Sequence, residues 1–114
     1  MARQTLSDEA VEKSTYVITL TCTDAAGAAV TPTSGTWTLT TLDGTVVNSR
    51  TAVALTPASA MDVVLSNADL ALLNAYDTGE RLLTAQFVYS SDEGSNLTLK
   101  EECYFQIRAL AAVS

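Results

Sequence analysis

Apolar residues recur at every second position through most of this chain, which is the period of a strand with one face buried. The pattern is strictest between residues 36 and 47, where Trp37 and Leu39 share one face, Thr36, Thr38 and Thr40 the other, and Asp43-Gly44 precedes Val46-Val47. Asp-Gly supplies the positive φ angles of a tight hairpin, so this stretch predicts a strand, a turn and a returning strand. Trp37 is the only tryptophan. Burying so large a side chain stabilises a fold by roughly 2–3 kcal/mol, which makes it the expected centre of the core.

The same period recurs on both sides of this hairpin. Residues 16–23 place Tyr16, Ile18, Leu20 and Cys22 inward and Thr19, Thr21 and Thr23 outward. Asp24-Ala25-Ala26-Gly27 turns the chain, and residues 30–35 form a connector whose Pro32 suits a loop or a sheet edge. Residues 53–55 and 61–65 read as short strands around a loop at 56–60. Residues 81–90 carry Leu83, Ala85, Phe87 and Tyr89 on one face, and residues 91–96 form a polar turn. Residues 97–107 place Leu97, Leu99, Cys103, Phe105 and Ile107 inward, Tyr104 outward, and Glu101 inward as well. A buried carboxylate is costly, so Glu101 predicts a bulge, a partner such as Arg81, or a place at the sandwich edge.

One segment departs from the strand period. Leucines near residues 67–73, with Ser66 or Asn67 as N-cap, predict one short helix across an end of the fold. About seven strands with frequent turn signals fit an all-β, antiparallel, immunoglobulin-like sandwich over residues 14–108. Residues 1–13 are polar and predict a flexible N-terminal arm, either a disordered terminus or a segment that orders only against a neighbouring subunit, and residues 109–114 a short C-terminal tail.

The 114 residues suffice for one domain with its own core. Thirteen acidic against six scattered basic residues give a formal charge of −7, which argues against a nucleic-acid partner because phosphate contacts need a clustered basic face. No apolar run approaches the ~20 residues of a membrane-crossing helix. Met1-Ala2-Arg3-Gln4 leads into polar residues rather than the apolar segment of a secretory leader, so a cytoplasmic chain, or one inside a particle assembled there, is expected.

Candidate chemistry is sparse. Histidine is absent, which removes Ser-His-Asp and Cys-His catalysis and the commonest zinc ligand. Cys22, Trp37 and Cys103 follow the order of an antibody domain, but Glu101 stands where that pattern has tyrosine. Both cysteines are expected as small buried hydrophobic residues, with a disulfide as the alternative. Glu101 and Glu102 are adjacent on a strand and so face opposite ways, unable to act jointly as acid and base. Asp8-Glu9 and Asp92-Glu93 are the other acidic pairs; the turns at residues 24–27 and 92–94 lack the alternating oxygen ligands of a calcium loop. No catalytic, cofactor-binding or metal-binding residue is therefore expected. The informative surface is the outer one, where Thr36, Thr38, Thr40 and Thr19, Thr21, Thr23 form uncharged hydroxyl strips. Threonine is also simply a good strand residue, so these strips admit a docking role and an ordinary one.

The chain resembles a family of small immunoglobulin-like proteins encoded among the virion genes of tailed bacteriophages and prophages. The likeness rests on Glu12-Lys13-Ser14-Thr15-Tyr16-Val17-Ile18-Thr19, on Val30-Thr31-Pro32-Thr33 leading to Trp37-Thr38-Leu39-Thr40, and on Leu42-Asp43-Gly44. Leu55-Thr56-Pro57-Ala58-Ser59 and Val63-Val64-Leu65-Ser66 complete it. The resemblance implies a non-enzymatic virion protein, assembled in the bacterial cytoplasm, that decorates or cements the capsid. Its implied partners are the major capsid protein or other virion proteins, with homo-oligomer formation and neither nucleic acid nor membrane. A tail or head–tail junction component is the alternative within that family. A carbohydrate-binding sandwich is the alternative outside it and would use exposed tyrosines among Tyr76, Tyr89 and Tyr104.

Overall fold

The longest alternating runs make the longest pairing. The computed structural model describes residues 3–6, 9–24, 27–73, 77–91 and 94–109. Its strands are β1 (Arg3–Thr5), β2 (Ala10–Val11), β3 (Thr15–Thr21), β4 (Ser34–Thr40), β5 (Val53–Ala54), β6 (Ala60–Ser66), β7 (Glu80–Ser91) and β8 (Gly94–Arg108). β7 and β8 form an antiparallel hairpin whose register runs unbroken from Glu80 opposite Gln106 to Tyr89 opposite Leu97. β4 pairs with the far side of β7, and β5 with β4, giving the order β1-β8-β7-β4-β5, with β2 also on β8. β3 and β6 make a second, antiparallel sheet.

The two sheets close on one core. Ile18, Leu20 and Cys22 come from the β3 side and Met61, Val63 and Leu65 from β6; Trp37, Leu39, Leu83, Ala85, Phe87, Cys103 and Phe105 come from the large sheet. The period of two places each of these inward, except in residues 61–65, whose pattern predicts only a short strand. A two-stranded sheet is marginal alone, so β3 and β6 depend on this packing. The result is an all-β sandwich. The Tyr16 ring is half-buried and lies 5.2 Å from the Phe105 ring, centroid to centroid.

Several expectations are corrected. The segment read as an arm at residues 1–13 is tied into the sandwich where it is described: β1 and β2 both run parallel to β8, so the large sheet is mixed rather than wholly antiparallel. Leu6 and Glu12 add N–H bonds to the carbonyls of Tyr104 and Arg108. Ladder bonds are made by the backbone of any residue, which is why a polar stretch can pair without an alternating pattern. The helix expected near residues 67–73 is a single 3₁₀ turn, Asn67–Leu70, and Ala71 is already extended. Leu70 is buried there and Leu73 exposed. One turn leaves too few internal hydrogen bonds for a helix to propagate unsupported. The returning strand of the Asp43-Gly44 hairpin shrinks to one bridge, Thr40 to Val46, before the chain crosses to β5. A turn does form there, but its centre is Leu42-Asp43 and only Gly44 takes a positive φ, +94°; Gly44 N–H bonds the Thr41 carbonyl and Thr45 N–H the Asp43 carboxylate.

Gly79 fixes how the chain enters β7. Its φ is +80°, and a Cβ added there falls 2.4 Å from the Ile107 carbonyl oxygen, to which no flexible side chain can yield. Gly79→Ala is expected to cost about 1–3 kcal/mol through left-handed backbone strain alone, with the collision in addition. Chemical denaturation measures it; a loss within 0.5 kcal/mol of zero contradicts the assignment.

Candidate interaction surface

Pairing of β4, β7 and β8 extends the Thr36, Thr38, Thr40 strip into rows across the outer face of the large sheet. Thr36, Gln86 and Lys100 form one row, Thr38, Thr84 and Glu102 the next, and Thr40, Leu82 and Tyr104 the third. Within these three rows the groups are mostly hydroxyl and amide, with one cation, Lys100, and one anion, Glu102, in adjacent rows; the next row brings a second carboxylate, Glu80, opposite Gln106. The second strip is shorter than the sequence suggested. Thr19 and Thr21 lie exposed on β3, whereas Thr23 is half-buried beyond it, bridged to Ala29. Opposite β3, Asp62 accepts the Thr19 hydroxyl at 2.7 Å. Val17 and Val64 stand directly across from each other, 51% and 57% exposed. Among the described residues, neither outer edge of this two-stranded sheet has a strand beside it.

Two ionic centres brace the segment that leads from β6 to β7. Arg81 is 1% exposed. Its Nη2 donates to Asp77 Oδ2 at 2.6 Å and Nη1 to Asp77 Oδ1 at 3.0 Å, with further bonds to the carbonyls of Glu80 and Ala71. Asp77 also accepts the N–H groups of Leu73 and Gly79. The Arg81 guanidinium, helped by these N–H groups against the cost of burial, holds the Asp77 carboxyl far below the usual carboxylate range. Arg81 thus pairs with Asp77 and not with Glu101. In the second centre Asp69 takes Arg50 Nε at 2.7 Å, Asn48 Nδ2 at 2.9 Å and Ser66 N–H at 3.2 Å. Burial is the largest single influence on Asp69 and opposes its ionisation, but the three donors together outweigh it and its pKa is lowered. The Arg50 guanidinium also stands 6.0 Å from the Trp37 ring centre.

Neither centre was legible as a pair in the sequence. Asp77 lies in a polar linker and Asp69 in a cap position, and what selects them is the turn geometry that aims backbone N–H groups at their oxygens. A cleft of about 460 Å³ opens beside the first centre, lined by Thr41, Leu42, Leu73, Asp77, Thr78 and Glu80 among others. Asp77, its deepest acid, is already saturated by donors from the protein itself, which makes it a structural group.

Glu101 sits opposite Ala85 within an unbroken ladder, so the bulge expected there is absent; the irregularity of the hairpin lies between Tyr89 and Ser91. Glu101 is half-buried, and desolvation raises its pKa. A raised folded-state value means that burial of the ionised form opposes folding at neutral pH, a penalty relieved as the pH falls. Glu101→Gln is therefore expected to raise the melting temperature at pH 7 and to leave it unchanged near pH 3. Calorimetry at the two values checks it; a lower melting temperature at pH 7 assigns the carboxylate a stabilising partner.

Cys22 and Cys103 are both buried and free, so the disulfide alternative is not realised. Burial, and after it the neighbouring Glu101 charge, raises both thiol pKa values. Among the described residues no group of three acidic or cysteine side chains is placed to hold a metal. Of the tyrosines weighed for glycan stacking, Tyr89 is buried in the core, and Tyr104, half-buried, donates its hydroxyl to Glu80 at 3.2 Å. Tyr76, Asp8 and the Asp92-Glu93 pair lie outside the described residues, as do Ala25 and Ala26 of the Asp24 turn.

The fold is an all-β sandwich whose large sheet carries outward rows of mostly hydroxyl and amide groups. Comparison with protein-family models, with curated proteins and with solved structures returns no match.

Proposed function

We propose that this chain is a non-catalytic accessory protein of a tailed-bacteriophage particle, which docks on a repeating protein shell and decorates or cements it. The observation that supports this reading is the outer face of the large sheet, where Thr36, Thr38, Thr84 and Gln86 sit in adjacent rows with little charge to desolvate. Removing charged groups from water costs several kcal/mol apiece, whereas hydroxyl and amide groups exchange water for protein partners at small net cost. Such a face suits close contact with another protein. On a lattice, many modest contacts sum through multivalency, so no single one has to be strong. Because β1 and β2 are tied to β8, docking on this reading uses the body of the sandwich rather than a free arm.

The test is co-sedimentation with shells assembled from the major capsid protein of the genome that encodes the chain. Saturable binding at a fixed ratio of chain to capsid subunit is expected. Absence of the chain from the shell pellet at every concentration overturns the reading.

A further inference from the structure

We infer that the open edge of β6 is a strand-acceptor groove for an extended partner segment that alternates apolar and basic residues. This rests on the reading of the chain as a protein-docking module and names where one partner strand binds.

The geometry starts from the ladder. The N–H of Asn67 donates to the carbonyl of Ser14, which sets the phase of the antiparallel pairing between β6 and β3. Stepping by two, Leu65, Val63 and Met61 direct their N–H and C=O groups to β3, and Ala60, Asp62, Val64 and Ser66 direct theirs away. Ser66 confirms the phase, because its N–H is taken by the Asp69 carboxylate on the side away from β3. Among the described residues nothing pairs with Asp62 and Val64 on that side, so they form the middle of an open edge, and β6 has no proline, lysine or bulge to guard it.

A cavity of about 460 Å³ runs along that edge. Five consecutive residues of β6, from Ala60 to Val64, line it. Successive side chains of a strand point to opposite faces, so a strand lines a cavity with consecutive residues through its backbone edge. Across from β6 the cavity meets Trp37, Leu55 and Ala58. Its volume is within the range of ligand pockets, and one wall is a row of backbone donors and acceptors. The ligand that satisfies such a wall is another extended backbone.

Side-chain chemistry narrows the occupant. On a strand added to β6, inward residues meet Trp37, Leu55 and Met61 and must be apolar. Outward residues lie beside exposed Asp62, on a chain of formal charge −7, and the complementary residue is lysine or arginine. A second copy of β6 instead brings its own Asp62 to a rim of like charge.

The probe is the acetylated, amidated peptide Thr-Val-Lys-Val-Lys-Val-Thr, beside its counterpart with glutamate for lysine, followed by amide hydrogen exchange on the full chain. The lysine peptide is expected to slow exchange at Asp62 and Val64. Asp62→Lys, at an exposed position, is expected to weaken that peptide by about three- to fivefold and to improve the glutamate peptide by a similar factor. Ala58→Trp, which fills the groove from a loop, is expected to weaken binding more than tenfold. Protection of neither amide, or protection indifferent to both substitutions, overturns the inference. So does concentration-dependent protection of these amides without peptide, which assigns the edge to a second copy. The capsid-shell assay keeps the two readings apart. A chain that binds shells but not the peptide refutes the groove alone, and one that binds the peptide but not shells refutes the shell reading alone.

Discussion

Asp77→Ala is expected to lower stability by about 3–5 kcal/mol, the range for leaving a buried charge without its partner. The substitution strands the Arg81 guanidinium, which is 1% exposed and has no partner at Nε among the described residues, without the two carboxylate oxygens it bonds. It also frees the N–H groups of Leu73 and Gly79, which shape the entry into β7. For a domain whose whole stability is about 5–15 kcal/mol, this moves the chain close to unfolding at physiological temperature. The same pair predicts an acid limb. Asp77 has a lower pKa folded than unfolded, so the unfolded chain takes up the proton first. Its contribution is complete above about pH 4 and is lost as the pH falls toward the folded value. Urea titrations of both chains at pH 7 and pH 3 measure this: the gap between them is wide at pH 7 and narrower at pH 3. A gap that widens on acidification contradicts the assignment.

Trp37→Ala is expected to cost a similar amount, about 3–5 kcal/mol, by removing the largest side chain from between the sheets. Trp37 is buried, faces the second sheet, and has Arg50 over its ring, so truncation removes packing and a cation–π contact together. Circular dichroism follows the unfolding of the variant, whereas in the parent the tryptophan emission itself shifts to longer wavelength as the core opens. A loss below 1 kcal/mol places the indole at the periphery.

Where burial is one-sided, the sequence carried the fold. Ile18, Leu20, Leu39, Leu83, Phe87, Phe105 and Ile107 all face inward as the alternation requires. A slip of one residue in any of these strands exposes its whole apolar set, so pattern and register reinforce each other. What stayed hidden depends on backbone and on turns. β1 and β2 pair through main-chain groups that any residue carries, and their few apolar side chains leave no period to read. Asp69 and Asp77 matter because of the N–H groups aimed at them, which spacing alone does not disclose. The proposed docking surface was legible in part: the threonines of β4 were visible as a strip, but their continuation through Thr84 and Gln86 required the register of β7. The β6 groove was not legible at all, since it is a relation between an unpaired edge and a loop that crosses from the other sheet.

If the chain docks on a shell, these surfaces become covered when the two meet. Hydrogen–deuterium exchange on the shell-bound and free chain measures that directly. Slowed exchange is expected in β6 around Asp62 and Val64 and in the outer rows carried by β4 and β7, with the Arg81–Asp77 end unchanged. Slowing confined to the cleft beside Asp77, or no difference between bound and free chain, contradicts it.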